Sequence, residues 1–268
     1  MSLIVSTRNA RFQQWDALRH NRTKRAKLGA FLVQGVRPIS AAVAAGRPIR
    51  TLLHDGTATS RWAADLLAGH RGEIAELAPE LLQELSDKNE DRAELIAVVA
   101  IPDDDPARLG TGGVVVVLDR PSSPGNIGTL IRSADALGTG GVIVTGHAAD
   151  VYDPKCVRAS RGCLFSVPVV RIERPAQAAS WLRAGGFTLV GTDEQATEAL
   201  WDAELTGPLA VVVGNETIGM SGFWRTECDL SVQIPMAGTA SSFNAAVAAS
   251  ITLYEIARRR ASRGAAAL

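Results

Sequence analysis

Two rhythms of apolar and polar positions divide the chain. Up to about residue 100, short apolar runs alternate with short amphipathic stretches. Phe31-Leu-Val-Gln-Gly predicts a strand, Pro38 to Gly46 an Ala-rich helix, Ile49 to His54 a second strand, Arg61 to Ala68 and Pro79 to Leu85 two helices, and Leu95 to Ile101 a closing strand. Together they form a small α/β sandwich of roughly 100 residues. Between Ile101 and Gly113, Pro-Asp-Asp-Asp-Pro and Gly110-Thr-Gly-Gly break the pattern on both sides, so residues 1–105 are expected as one domain, 106–112 as a linker and 113–268 as a second domain.

Past that boundary the runs become longer and β-branched, the pattern of a mostly parallel sheet covered on both faces. Strands are expected at Val114 to Leu118, Gly141 to Thr145, Val167 to Ile172, Phe187 to Gly191, Leu209 to Val213 and Ser231 to Ile234. The clearest helices are Asn126 to Leu137 and Ser242 to Arg260, the second ending in three arginines where a helix C-terminus favours cations. No repeat is present, and the tail from Ala261 to Leu268 is expected to fray.

Composition narrows the class. Apolar residues make up 46% and charged residues 21%, the balance of a soluble globular chain. The formal net charge is zero, so any affinity for nucleic acid must come from uneven charge distribution. From Met1 to Arg37, eight Lys or Arg stand against Asp16 alone. Arg8, Arg11, Arg22, Lys24, Arg25, Lys27 and Arg37 are therefore candidate RNA contacts, with Phe12 and Trp15 interleaved to stack on bases; the competing reading is a solvated helix face. The stretch from Glu73 to Asp105 holds eleven acids, Lys88 and Arg92, and reads as a solvated helix face. Cys156, Cys163 and Cys228 lack paired zinc spacing and the four histidines are scattered, so no metal is expected and the thiols should be reduced. No apolar run approaches the ~18 to 20 residues of a membrane span and no secretory core follows Met1, which points to a cytoplasmic protein with no membrane partner.

Three polar clusters follow strands, where open α/β sheets place ligands. The first runs Asp119-Arg-Pro-Ser-Ser-Pro-Gly-Asn126-Ile-Gly-Thr-Leu-Ile-Arg132; Pro121, Pro124 and Gly125 are expected to exclude helix, with Asn126 capping the helix that carries Arg132. The second is Val-Gly214-Asn215-Glu216-Thr-Ile-Gly219-Met-Ser221, which sets a carboxylate at a strand mouth and a possible cap at Ser221. The third, Ile234-Pro-Met236-Ala-Gly238-Thr-Ala-Ser-Ser242-Phe243-Asn244, leads into a helix of small residues that can approach backbone closely. Taken alone, the first cluster reads better as a cap and a surface charge, the second is only partly explained by an ordinary turn, and the third is equally well read as a capped, tightly packed helix.

In this order and spacing the three clusters resemble the motifs of the SpoU/TrmH family of RNA 2′-O-ribose methyltransferases, in the SPOUT superfamily, over roughly Val114 to Arg260. Phe243 departs from the Leu many relatives carry. The stretch from Phe31 through Ala-Gly-Arg-Pro-Ile49 resembles the family's L30e-like substrate-binding domain. The resemblance implies an α/β fold with a deep trefoil knot in the C-terminal domain. It also implies S-adenosyl-L-methionine held by Gly191, Thr192, Gly214, Asn215, Ile234, Met236 and Phe243. Catalysis would involve Arg132, with Asn126, Glu216, Ser242 and Asn244 ordering the pocket and Asn126 and Asn244 hydrogen-bonded to each other. A homodimer acting on structured RNA is implied, with 23S ribosomal RNA preferred over transfer RNA; some relatives protect ribosomes from antibiotics by one such methylation. The alternatives are a non-catalytic RNA-binding or ribosome-assembly protein keeping the knot, and a nicotinamide-dependent enzyme, against which Pro121 to Gly125 stand where G-x-G-x-x-G is required.

Overall fold

The apolar runs become buried strands and the amphipathic stretches cover them, in a computed structural model that describes residues 3–57, 60–86 and 93–265. By their contacts the residues form two units, Met1–Pro102 with Asp150–Ser166, and Asp103–Ala149 with Val167–Leu268.

The first unit begins with β1 (Leu3–Val5), α1 (Ala10–His20), α2 (Arg22–Leu28), β2 (Ala30–Gln34) and α3 (Val36–Ala44). It continues through β3 (Ile49–His54), α4 (Arg61–Gly69), β4 (Glu73–Leu77), α5 (Pro79–Leu85) and β5 (Ile96–Ala100). The sheet order is β1-β4-β3-β5-β2, with β1, β4 and β3 parallel and β5 antiparallel to both its neighbours. Asn9 opens α1 by accepting the amides of Arg11 and Phe12, and Gly29, at φ 55°, closes α2 in the left-handed region.

Several expectations for the basic run are overturned here. Phe12 and Trp15 do not stack on bases: with Leu18 they form the buried stripe of α1, packed among Leu77, Leu81, Leu82 and Val98. Arg25 is not an RNA contact. It is 3% exposed, its Nε donates to Asp150 at 2.7 Å, and its Nη1 donates to the Leu18 carbonyl at 2.7 Å. A guanidinium so deep in apolar packing must be paired, because an unpaired buried charge costs several kcal/mol. Arg8 and Arg11 stay exposed but pair with Glu84 and Glu73, so the two charge runs partly neutralise each other. The acidic run is not one helix face, since it contains β4 and α5; its residues 87–92 lie outside the described residues.

The second unit holds β6 (Val114–Asp119), α6 (Pro124–Ala136) and β7 (Gly141–Thr145). The chain then passes through α7 (Pro154–Ser160) and returns as β8 (Val169–Ile172), α8 (Pro175–Ala184), β9 (Thr188–Thr192), β10 (Glu198–Ala199), β11 (Leu209–Val213), α9 (Gly222–Glu227), β12 (Leu230–Gln233) and α10 (Ala245–Ala265). All pairs of the sheet β10-β12-β9-β11-β6-β7-β8 are parallel. Every residue of β6, β7 and β11 is buried, which is why these strands read as unbroken Val/Ile runs.

Three local details differ from the sequence reading. The excursion Asp150–Ser166, expected in the second domain, belongs to the first unit: the Phe31 ring lies 4.8 Å from that of Tyr152 and 6.2 Å from that of Phe165, and Asp150 neutralises Arg25. Helix α6 starts at Pro124 rather than Asn126. Ser123 is its cap, accepting the Asn126 amide at 3.3 Å, and proline suits a first-turn position because its missing N–H would be unpaired there anyway. Helix α10 starts at Ala245 behind Asn244 and runs past Arg260 to Ala265, so the expected fraying does not begin at Ala261; residues 266–268 lie outside the described residues. Among the described residues no helix is long and apolar enough to cross a membrane, and no cluster of His, Cys, Asp or Glu could hold a metal ion.

Candidate active site

Because the sheet of the second unit is parallel, the carboxyl ends of β12, β9, β11 and β6 lie side by side. Register makes this concrete: Val213 sits opposite both Thr192 and Leu118, and Thr192 opposite Val232. The loops beginning at Arg120, Asp193, Gly214 and Ile234 therefore leave one edge of the sheet together, the position where α/β sheets bind ligands.

A hydrogen-bonded chain ties the three motifs into one site. Asn126 Nδ2 donates to Glu216 Oε1 at 3.1 Å, and Asn244 Nδ2 donates to Asn126 Oδ1 at 3.1 Å. Asn244 Oδ1 in turn accepts the Ala246 amide at 2.9 Å, capping α10. Residues 118 apart in sequence thus hold one another directly. The Asn126–Asn244 pair expected from the motifs is present.

Glu216 is a staple for the loop between β6 and α6. Its Oε2 accepts Ser122 N at 2.8 Å and Ser122 Oγ at 2.7 Å; its Oε1 accepts Ser123 N at 3.0 Å as well as Asn126. Partial burial pushes this carboxyl up, but the donors from Ser122 and Asn126 outweigh it, leaving Glu216 below the usual carboxylate range. It stays ionised at neutral pH and acts by positioning the loop.

Asn215 fixes the other side of the turn. Its Nδ2 donates to the Arg120 carbonyl at 2.7 Å, and its Oδ1 accepts Thr217 N at 2.9 Å. Arg120 takes a positive φ of 54° and clamps the fully buried Asp119 through Nε at 3.1 Å and Nη2 at 3.0 Å. Asp119 also accepts Ser221 N at 2.7 Å, while the Ser221 hydroxyl is buried, has no hydrogen-bond partner among the described residues and does not cap α9. Sequence reasoning passed over this Asp119–Arg120 pair; its signal was an Asp-Arg dipeptide closing an otherwise apolar strand.

The residues expected to hold a cofactor fall into two groups. Gly214 is required first by packing against its own chain, since a Cβ there would lie 2.2 Å from the Met220 amide nitrogen; a Cβ on Gly191 would meet only the movable side-chain ends of Met220, at 2.8 Å, and Cys228, at 3.1 Å. Only glycine lets the loop from Gly214 to Met220 fold back so tightly. Thr192 donates its hydroxyl to the Val212 carbonyl at 3.1 Å, tying the ends of β9 and β11. Ile234 and Met236 are half-buried and Phe243 is exposed, so the third loop offers apolar surface and backbone at the same sheet edge. Backbone amides beside apolar side chains are the donor set an adenosyl group needs, and the residues present fit S-adenosylmethionine.

Two expected members stand apart. Ser242 is exposed and makes no hydrogen bond among the described residues. Arg132 is exposed and unpaired among the described residues, two turns down α6. Six residues after Asn126, it lies about 240° round the helix and about 9 Å along it, so it is not on the Asn126 face.

The chain matches the SpoU rRNA Methylase family over residues 113–254 and the SpoU L30e-like domain over residues 9–97. It is 54% identical, over 96% of its length and 93% of the relative's, to the 23S rRNA (uridine(2479)-2′-O)-methyltransferase of Streptomyces viridochromogenes. It is 30% identical, over 96% and 99% respectively, to the 23S rRNA (guanosine(2553)-2′-O)-methyltransferase RlmP of Bacillus subtilis. Among solved structures it resembles the SpoU methyltransferase AviRb from Streptomyces viridochromogenes in complex with AdoMet, at 55% identity with a TM-score of 0.91, covering 95% of this chain and 99% of that one. The AdoMet-bound rRNA methyltransferase from Sinorhizobium meliloti is also similar, at 27% identity, TM-score 0.84, and 96% and 98% coverage.

Proposed function

Because the chain belongs to the SpoU rRNA methylase family, we propose that it methylates the 2′-hydroxyl of a single uridine ribose in 23S ribosomal RNA. It is an S-adenosylmethionine-dependent RNA 2′-O-methyltransferase; the choice of 23S RNA and of uridine rests on near end-to-end identity with the uridine-specific relative. The observation that carries the reading to specific residues is the Asn244–Asn126–Glu216 chain, which gathers the three motifs at one sheet edge.

Bound S-adenosylmethionine supplies a methyl group already activated by its sulfonium charge. The residues that hold it are Gly191, Thr192, Gly214, Asn215, Ile234, Met236 and Phe243, largely through backbone. Arg132 holds the RNA phosphate and stabilises the negative charge that develops on the 2′-oxygen as its proton leaves. A permanently charged guanidinium suits that task better than proton abstraction. Asn126, Glu216 and Asn244 keep the loops in register, and Ser242 contributes from an exposed position in the third motif.

A homodimer belongs to this reading. Val247 and Tyr254, seven residues apart on one stripe of α10, are 44% and 59% exposed, and Phe243 just before the helix is 40% exposed. Apolar side chains grouped this way favour burial against a second copy. Arg132, turned away from its own Asn126, can then serve a site completed across the interface. The reading also includes the trefoil knot around the loops after β9, β11 and β12, and a cytoplasmic location. Methyl transfer from radiolabelled S-adenosylmethionine onto unmodified 23S rRNA, mapped by resistance to alkaline cleavage, tests it. One resistant uridine linkage is expected; label on a base, or none, refutes it.

A further inference from the structure

Two non-glycine residues stand at positive φ among the described residues, and one of them, Arg120, lies where β6 runs into the site. At φ 54° its own Cβ disfavours the backbone, and Pro121 after it favours extended geometry instead. Glycine would sit there without strain. Gly146, at φ 66°, packs against the stem of the arginine, since a Cβ on it would lie 2.7 Å from Arg120 Cγ. A strained backbone of this kind persists only where the surrounding structure over-determines it.

The bonds of this side chain account for the strain. Nε and Nη2 form a fork on the two oxygens of Asp119, at 3.1 and 3.0 Å. Asp119 is fully buried, so the guanidinium cannot swing away without stranding a carboxylate. From that fixed position Nη2 also donates to the Gly219 carbonyl at 3.2 Å. Gly219 closes the turn that carries Glu216, exchanging backbone hydrogen bonds with Asn215 at 3.1 and 3.0 Å. The end of β6 grips the same turn twice more: Asn215 Nδ2 donates to the Arg120 carbonyl at 2.7 Å, and Ser221 N donates to Asp119 at 2.7 Å. Bonds at positions 215, 219 and 221 thus set where the Glu216 carboxylate stands when it reaches across to Ser122, Ser123 and Asn126.

We propose that Arg120 is a positioning residue for methyl transfer: locked on Asp119, its guanidinium holds the turn after β11 so that Glu216 meets the loop between β6 and α6 in register. It acts through Glu216 and Asn126, and its effect falls on the rate of the aligned complex rather than on capture of the RNA. Glycine at this position would relieve the backbone but leave both Asp119 and the Gly219 carbonyl without the guanidinium, which is why a strained arginine stands there. The kinetic part of the test rests on the reading of 23S rRNA as the substrate.

The test compares the wild-type full chain with Arg120→Lys, which keeps the charge, the backbone strain and a partner for Asp119. A single ammonium cannot reproduce the fork on Asp119 and hold the Gly219 carbonyl in fixed register as well. A second variant, Asp119→Asn/Arg120→Gln, removes both charges together and leaves no buried carboxylate unpaired. Methyl transfer onto an unmodified 23S rRNA transcript is measured at saturating S-adenosylmethionine, and amide hydrogen exchange is followed in the same proteins. In both variants kcat should fall about tenfold or more while KM for the transcript stays within about twofold of wild type. Exchange at the Ser122 and Ser123 amides should quicken about tenfold or more, with β8 and α8 exchanging as in wild type. An arginine that serves stability alone gives another pattern: folded variants keep the wild-type kcat, and any faster exchange spreads through the whole sheet. Wild-type kcat, or wild-type exchange at Ser122 and Ser123, in both folded variants overturns the proposal. If the wild-type chain itself fails to methylate the transcript, the reading of the substrate fails instead, and exchange at Ser122 and Ser123 decides the role of Arg120 independently.

Discussion

Replacing Glu216 with glutamine removes one negative charge without changing shape, and the structure gives its cost. Each carboxylate oxygen accepts two donors: Ser122 N and Oγ on one, Ser123 N and Asn126 Nδ2 on the other. An amide nitrogen cannot accept, so whichever way the glutamine turns, two of the four donors lose their acceptor. A hydrogen bond to a charged group contributes roughly 1.5–3 kcal/mol, and Ser122 is exposed enough for water to replace part of that loss, which leaves a net cost of about 2–3 kcal/mol. In a unit of this size each kcal/mol lowers Tm by about 2–4 °C, so calorimetry at pH 7 should show a fall of about 4–12 °C. Methyl transfer should fall on the order of 10–100-fold, because Asn126 is no longer held in register. The pH dependence gives an internal control. Glu216 titrates below its ordinary value in the folded protein, so its stabilisation is complete above the unfolded-state pKa and is lost as pH falls through the folded one. The gap between wild type and Glu216→Gln should therefore close in acid. A variant melting within about 1 °C of wild type at pH 7, with full activity, would refute the staple.

Arg132→Ala should keep the fold and S-adenosylmethionine binding, by calorimetry, while losing methyl transfer; full activity would remove Arg132 from the mechanism. Arg25→Ala should destabilise the first unit by about 3–5 kcal/mol in denaturant unfolding, because it strands Asp150 in the interior, yet leave the salt dependence of RNA binding unchanged. Asn126→Asp should impair methyl transfer more than Asn126→Ala, since it sets a second carboxylate against Glu216 where an N–H now donates. Glu255 is held down to about 2 by hydrogen bonds from Arg258, against partial burial, with Arg259 adding to it. Its contribution is therefore full above the ordinary carboxylate range and disappears as pH falls toward 2, and Glu255→Gln should flatten the acid limb of the stability profile.

The parallel sheet was legible because both its faces are buried: β7 and β11 have the boundaries their Val/Ile runs suggested. Short or half-exposed elements left no such trace. β1 has three residues and β10 two, and α2 has a single buried residue, the Arg25 that sequence reads as surface charge. The fate of that arginine was decided by Asp150, 125 residues away, and no local pattern carries such a partner. The same limit explains the misplaced excursion: Asp150–Ser166 sits in sequence between two strands of one sheet but packs on Phe31 of another.

At the site, the motifs named the residues but not the direction of the bonds between them. Asn126 could cap, donate or accept, and only the folded geometry assigns its amide, with oxygen toward Asn244 and nitrogen toward Glu216. The chain from the Ala246 amide through Asn244 and Asn126 to Glu216 then consists of donors that all point toward one carboxylate. Bonds aligned this way polarise one another, so the ionised Glu216 strengthens the cap of α10 as well as its own loop. The start of α10, the first turn of α6 and the turn after β11 therefore cannot shift independently. That coupling accounts for three motifs, each readable alone as an ordinary cap or turn, occurring together in one chain: loss of Asn126 takes away the partner that Asn244 and Glu216 share, and loss of either end leaves one group of Asn126 unpaired.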